Sequence, residues 1–242
     1  MNKLDFQKKI SRLFNKKHYA DFKKSAPYPF TVTYHTGSLE TPANSIESIN
    51  AALNDGAEIL EFDVTFRPDG TAVIIHSGSP SQTEGVLLDE ALAAVAKSDK
   101  CKINLDIKSV ANLPEVDRLV KKNGLFERCF YTGVFDYWVD TVKKNSAIPF
   151  YLNHKITSEE ATDKNAAKAL AQKAIEMGVI GINSNYRTAS KLFVDTMHEN
   201  SLEVSLWTVN KPKDMAAVAS LRPDNITTKK PHYLKRILGI RF

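Results

Sequence analysis

Glu58-Ile-Leu-Glu-Phe-Asp-Val64, Arg67-Pro-Asp-Gly70 and Ala72-Val-Ile-Ile-His76 follow one another with almost nothing between them. The first and last are strand-like runs of apolar and β-branched residues. The middle one is turn chemistry, too short to hold a helix. Two strands joined so tightly form an antiparallel hairpin centred near Asp69, in which paired residue numbers sum to about 138. That register folds His76 back beside Phe62 and Asp63. It also separates this pair from the rest of the chain, where strands recur only after helices.

Working outward, strands are read at 31–35, 58–64, 102–107, 129–133, 149–153, 179–183, 203–208 and 225–228. Helical stretches separate them, among them 44–55, 112–122, 163–177, 187–199 and 211–219. Eight strands alternating with helices predict an α/β fold, a (β/α)8 TIM barrel, with the hairpin as an excursion after strand 2. The 242 residues, 43% of them hydrophobic, suffice for one such domain. We read it as 31–242, preceded by an N-terminal basic helical extension over 1–30.

The net charge of +5 is concentrated in that extension. Residues 1–24 carry eight cations against Asp5 and Asp21, a net of +6, which leaves −1 for everything else. A nearly neutral main domain argues against nucleic-acid binding. Phe6, Ile10, Leu13 and Phe14 fall on one helical face. This predicts a helix packed on one end of the domain, with peripheral contact to an anionic membrane through residues 1–24 as the alternative use. No run is long and apolar enough for a membrane span, and the start lacks a signal-peptide pattern. A cytoplasmic, membrane-peripheral at most, location is the resulting expectation. Cys101 and Cys129 each open an apolar run and read as semi-buried thiols.

Glu61 and Asp63 are two apart on a strand, so both carboxylates point to one face. Asp106 and Lys108 repeat that spacing at the end of Ile103-Asn-Leu-Asp-Ile-Lys108. Strand C-termini converge on one mouth of a barrel, where such residues read as catalytic. Three acids gathered there repel one another unless a cation joins them. Oxygen ligands point to one hard divalent ion, Mg2+ or Ca2+. His35 and His76 end strands at the same mouth and suit an acid/base pair. A metal, two titratable rings and a lysine form an apparatus for cleaving a P–O bond.

In order, His35-Thr-Gly, Pro42-Ala-Asn-Ser45, Glu61-Phe-Asp63, Pro68-Asp-Gly70, Val73-Ile-Ile-His76 and Asp106-Ile-Lys108 resemble the motif series of the glycerophosphodiester phosphodiesterase family. Val134-Phe-Asp136, Trp207-Thr-Val-Asn210 and Ile226-Thr-Thr-Lys-Lys-Pro231 resemble its later strand-end signatures, so the likeness runs over about 31–234. It implies a metal-dependent phosphoric diester hydrolase acting on a glycerophosphodiester or a related phospholipid-derived phosphodiester. Glu61, Asp63 and Asp106 would hold the metal, and His35 and His76 would be general acid and base. Lys108 would pair with the phosphate. Trp207, with His154 and Asn183, would line the substrate pocket. The neighbouring alcohol would attack phosphorus to give a cyclic phosphate.

This chain departs from the family pattern at Thr36, where arginine is usual, at Ser77, where aspartate is usual, and at Asp106, where glutamate is more common. His154, Lys155 and Arg187 are candidates to replace the missing arginine. Gly78 to Gly85 leaves no room for the small cap that many relatives insert, which predicts an open mouth. Two alternatives follow: a catalytically impaired barrel that binds phosphate or metal, and a phospholipase D-like enzyme that cyclises lysolipids.

Overall fold

The structure is a computed structural model and describes residues 30–238. The basic extension read over 1–30, with its helix and its membrane contact, therefore lies outside the described residues apart from Phe30. Ten strands are present: β1 Thr31–Tyr34, β2 Ile59–Phe66, β3 Ala72–Ile74, β4 Val86–Leu87, β5 Lys102–Ile107, β6 Cys129–Val134, β7 Phe150–Asn153, β8 Gly181–Asn185, β9 Glu203–Trp207 and β10 Asn225–Thr228. Eight of them run parallel in the order β1-β10-β9-β8-β7-β6-β5-β2, and a further β1–β2 pairing closes the ring. The chain is a TIM barrel.

Each barrel strand leads into a helix. In chain order these are α1 Ile46–Asn54, α2 Leu88–Val95, α3 Leu113–Lys122, α4 Val139–Asn145, α5 Ser158–Thr162, α6 Lys164–Met177, α7 Lys191–Glu199, α8 Pro212–Ser220 and α9 Pro231–Leu238. A strand between two layers is covered on both faces, which is why all eight residues of β2 are buried. Its apolar positions Leu60, Phe62 and Val64 belong to the core shared with the helices. By the two-residue alternation, Glu61, Asp63 and Thr65 then face the lumen.

Polar side chains inside the lumen are satisfied by one another. Asn225 accepts from the Thr33 hydroxyl at 2.8 Å and donates to Ser205 at 2.9 Å. The Thr132 hydroxyl, 2.8 Å from the Asn104 oxygen and 2.9 Å from Asp106, shares its one hydrogen between them. A buried amide or hydroxyl is tolerated only when bonded in this way.

The hairpin carries the one break in the parallel order. β3 lies antiparallel to β2, with Val64 opposite Ile74, Thr65 opposite Val73 and Phe66 opposite Ala72, so each pair sums to 138. The Ile75 N–H continues the pairing to the Asp63 carbonyl at 3.1 Å. β4, which the sequence pattern misses, adds two residues against β3 before α2 begins. It is too short to show a period. Between β3 and β4 the chain forms a loop with no inserted cap, and Arg67 clamps it by donating to the carbonyls of Glu84 and Gly85 at 2.9 and 2.8 Å.

Several boundaries move by one or two residues from the sequence pattern, and two shifts have a clear local cause. The strand expected at 179–183 runs from Gly181 to Asn185, because Gly178 ends α6 in the left-handed conformation and the chain needs two residues to re-enter the sheet. The helix expected from 187 begins only at Lys191. Tyr186–Thr188 form a 3-10 turn, and the Ser190 side chain, accepting from the Phe193 N–H at 3.1 Å, sets the start. Both cysteines are free and buried. Among the described residues, no helix is long and apolar enough to cross a membrane.

Ser190 also donates to the Ala161 carbonyl at 2.6 Å, tying α7 to α5. Ser190→Ala should therefore lower stability by about 1–2 kcal/mol, the usual cost of a lost cap, read as a fall in the urea midpoint at unchanged slope.

Candidate active site

At the C-terminal mouth of the barrel lies a cavity of about 710 Å³. His35, Glu61, Asp63, His76, Asp106, Lys108, His154, Asn183 and Trp207 all line it. The topology brings them there from different strands: His35 just beyond β1, the two acids from β2, His76 from the returning hairpin, and Asp106 with Lys108 from the end of β5. Parallel pairing sets Asp63 level with Asp106.

Glu61, Asp63 and Asp106 each offer a carboxylate oxygen within 4.8 Å of the others. Neighbouring donors hold the three carboxylates. The Thr36 N–H donates to Glu61 at 2.9 Å, and the Thr132 hydroxyl donates to Asp106 at 2.9 Å. Asn44 grips Asp63 twice: its amide donates to the carboxylate at 2.8 Å and its oxygen accepts the Asp63 backbone N–H at 2.9 Å. Lys108 bridges Asp63, at 2.9 Å, and Asp106.

The electrostatics follow from that crowding. Burial pushes the Glu61 carboxyl well above the usual range, and the charges of Asp106 and Asp63 push it further. Burial acts in the same sense on Asp63, but Lys108 and the Asn44 amide outweigh it and leave that carboxyl below its usual range. Burial opposes the Lys108 charge, yet Asp106 and Asp63 hold its pKa above the ordinary value. One ammonium offsets only part of three carboxylates. A compact, all-oxygen donor set with surplus negative charge fits a hard divalent cation.

The two histidines differ in setting. His35 is mostly enclosed, and its Nδ1 lies 2.8 Å from the Thr36 carbonyl and 3.6 Å from Glu61. A carbonyl only accepts, so Nδ1 carries the hydrogen and the neutral ring keeps its lone pair on Nε2. Burial lowers the basicity of this ring; the Thr36 carbonyl opposes that, and the Lys229 charge adds to it. His76 sits at the rim, its side chain 84% exposed, with Nδ1 3.3 Å from Asp63. Donation to that carboxylate again leaves Nε2 free.

Several contributors escape a reading of the sequence. Asn44 lies in the Pro42–Ser45 motif, but its role depends on a left-handed backbone (φ 52) that turns its amide onto Asp63. Gly133 (φ +78) lets β6 pass so close to β5 that a Cβ would meet the Ile107 carbonyl at 2.3 Å and Asp106 at 2.8 Å. Lys229 follows β10, which pairs in parallel with β1, and the His35 N–H donates to the Thr228 carbonyl at 3.0 Å. Thr227 lines the cavity, and Lys229, just past the strand, lies close enough for its charge to act on His35. Phe135 and Trp138, after β6, line the cavity as well.

Thr36, in the place of the expected arginine, is buried and its hydroxyl accepts the Asn44 N–H. His154 is held by Glu160 at 2.9 Å, and Asn183 donates to Asn153 at 2.8 Å. Lys155 and Arg187 line the cavity exposed to solvent. The Trp207 indole N–H is buried without an acceptor among the described residues. Asn210 accepts from the Lys229 N–H at 2.8 Å and braces the end of β10.

A comparison with protein families matches residues 25–86 and 77–232 to the glycerophosphoryl diester phosphodiesterase family. A glycerophosphodiester phosphodiesterase of Caldanaerobacter subterraneus subsp. tengcongensis is 22% identical over 240 residues, covering 84% of this chain and 95% of that protein. Among solved structures, a glycerophosphodiester phosphodiesterase from Parabacteroides distasonis superposes with a TM-score of 0.70 at 19% identity, over 88% of this chain and 98% of that one. An Oleispira antarctica phosphodiesterase, solved with the product sn-glycerol-3-phosphate, gives 0.69 at 16% identity, over 88% and 97%. At such identities these two structures speak to the fold.

Because Asn44 holds Asp63 through both of its polar atoms, Asn44→Gly, which keeps the left-handed backbone unstrained, should weaken Mg2+ or Ca2+ binding about 10- to 100-fold. Isothermal titration calorimetry reads this directly, and unchanged affinity would remove Asn44 from the supporting shell.

Proposed function

This chain belongs to the glycerophosphoryl diester phosphodiesterase family, and from that premise we propose that it hydrolyses a phospholipid-derived phosphodiester with a divalent cation and two histidines. The observation that carries the reading is the convergence of two histidine–carboxylate pairs on one cavity, His35 with Glu61 and His76 with Asp63. Glu61, Asp63 and Asp106 would hold Mg2+ or Ca2+. When bound, that ion would neutralise negative charge on the phosphoryl oxygens.

The chain's own residues supply the proton transfers. The Nε2 lone pair of neutral His35 accepts the proton of the substrate hydroxyl next to the phosphoester, as that oxygen forms a bond to phosphorus. His76, entering this step as the imidazolium with Nδ1–H on Asp63, gives its Nε2 proton to the departing alcohol oxygen as that oxygen's bond to phosphorus breaks. The product of this step is a cyclic phosphate. In the second step the roles reverse: His76 takes a proton from water, water opens the ring, and His35 returns its proton to the released hydroxyl oxygen. What supports His35 as the first base is its enclosed ring with Nδ1 committed to a carbonyl.

Lys108, kept charged by its two carboxylates, pairs with the phosphate from the β5 side. Thr36 offers no such charge beside β1. We assign that part to Lys229, which reaches the His35 flank from β10. The Trp207 N–H and the linked amides of Asn153 and Asn183 are donors for the glycerol and headgroup oxygens, with His154 beside them.

Phosphorus NMR with glycerophosphocholine, glycerophosphoethanolamine and glycerophosphoinositol tests the reading. Turnover should require Mg2+ or Ca2+, stop with EDTA, and display a cyclic phosphate shift before the monoester. His35→Ala and His76→Ala should each lower kcat by about 10²–10⁴-fold while the circular dichroism stays native. Full activity in either variant would sink the proposal, and metal binding without turnover of any diester would make the barrel a binding protein. Lys229→Ala should cost about 10- to 100-fold in kcat/KM, with Lys229→Arg restoring most of it; an unaffected alanine variant would return the phosphate to Lys108 alone.

A further inference from the structure

One section of the cavity wall has no part in the proton transfers or in phosphate binding. Phe135, Tyr137 and Trp138 follow β6 in a short turn at the mouth. The rings of Phe135 and Tyr137 stack with centroids 5.5 Å apart and planes 5° from parallel. Trp138 meets both edge-on, at 6.1 and 5.4 Å. Phe135 and Trp138 line the cavity that holds the three acids. Yet Phe135 is 41% and Tyr137 68% exposed, two of the four large hydrophobic side chains so exposed among the described residues.

A contiguous aromatic surface left in water at a cavity mouth marks a binding surface. Its shape and its neighbours decide what covers it. A quaternary ammonium is held by ring faces that converge around it. Here two rings lie flat on each other and form a ledge. The one acid in the turn, Asp136, is 3.7 Å from Lys173, while the cavity's exposed charges are Lys155 and Arg187. That setting gives a quaternary ammonium no cage of converging ring faces and leaves the ledge open to an apolar arm. The way in is open, since the chain between β3 and β4 is a clamped loop with no cap. The volume, about 710 Å³, lies well inside the range of about 300–1,000 Å³ that encloses drug-sized molecules. A diester of glycerol with a small alcohol fills far less.

We infer that Phe135, Tyr137 and Trp138 form a subsite for an apolar arm of the phosphodiester, a single acyl or alkyl chain carried by the glycerol. The substrate class is then a one-chain phospholipid presented to the acids by its phosphate. This inference rests on the phosphodiesterase reading above, and it is tested by two measurements that fail separately.

The first is kcat/KM across glycerophosphocholine and its hexanoyl, octanoyl and decanoyl lysophosphatidylcholine analogues, all kept below micelle formation. Burial of a methylene is worth up to about fourfold in binding, so the series should climb by about tenfold or more. Phe135→Ala with Tyr137→Ala should flatten the climb. The second measurement needs no turnover. The chain has two tryptophans, and both line the cavity. In Trp207→Phe the remaining Trp138 should be quenched saturably by a lysophosphatidylcholine brominated on its chain, with affinity about tenfold weaker in the double alanine background.

Turnover independent of chain length, with no saturable quenching, would overturn the subsite and leave the phosphodiesterase reading standing. Quenching with no turnover of any diester would keep the subsite and remove the enzyme. Quenching by vesicles of brominated diacyl lipid, but not by the monomeric lysolipid, would make the ledge a membrane contact and overturn the subsite.

Discussion

Three carboxylates whose oxygens lie within 4.8 Å of one another inside a closed barrel set the terms for everything around them. Like charges at that spacing in a poorly solvated lumen repel strongly. At Glu61, burial first and then the charges of Asp106 and Asp63 push the carboxyl well above its usual range. The fold answers it with three kinds of partner. Backbone and side-chain donors from Thr36, Asn44 and Thr132 hold the carboxylates. Lys108 spans two of the acids. Together the three carboxylates make a compact oxygen donor set of a kind suited to a divalent ion.

The supports come from the whole circumference. Asn44 belongs to the loop after β1, Thr132 to β6, and Gly133 exists as glycine because the β6 backbone must pass against Asp106. The two histidines lie beside the same acids, so the placement of the rings and of the charged centre is one problem with one solution. A closed barrel is suited to this, because hydrogen-bonded neighbours on both sides of every strand hold each lumen residue at a set height.

Much of this could be read from the chain before any coordinates. The β2–β3 register needs only a turn at Arg67–Gly70 and two flanking runs, which is local information. Glu61, Asp63, Asp106 and Lys108 announce themselves by two-residue spacing on strands. What stayed hidden depends on closure or on conformation. The charge of Lys229 reaches His35 across the seam where the last strand pairs with the first, a proximity that no local pattern encodes. Asn44 works through a left-handed backbone, which its residue type permits but does not announce. Ser190 sets the start of α7 where a count of helical periodicity runs on to 187. Phe135 belongs to the Val134–Asp136 signature and Trp138 to none, and only the turn after β6 shows that both stand at the mouth.

The clamped loop between β3 and β4 has a bearing on how such a protein changes over generations. Its two ends are pinned to each other by strand pairing and by Arg67, and neither end belongs to the ring of barrel strands. Lengthening a loop whose ends are already held together costs little, about 0.6 kcal/mol for each doubling of its length. Material can therefore be added or removed at this point while the lumen and the acids below it stay as they are. The hairpin is a graft site, and the breadth of molecules admitted to the mouth is a trait that can drift there independently of the chemistry beneath.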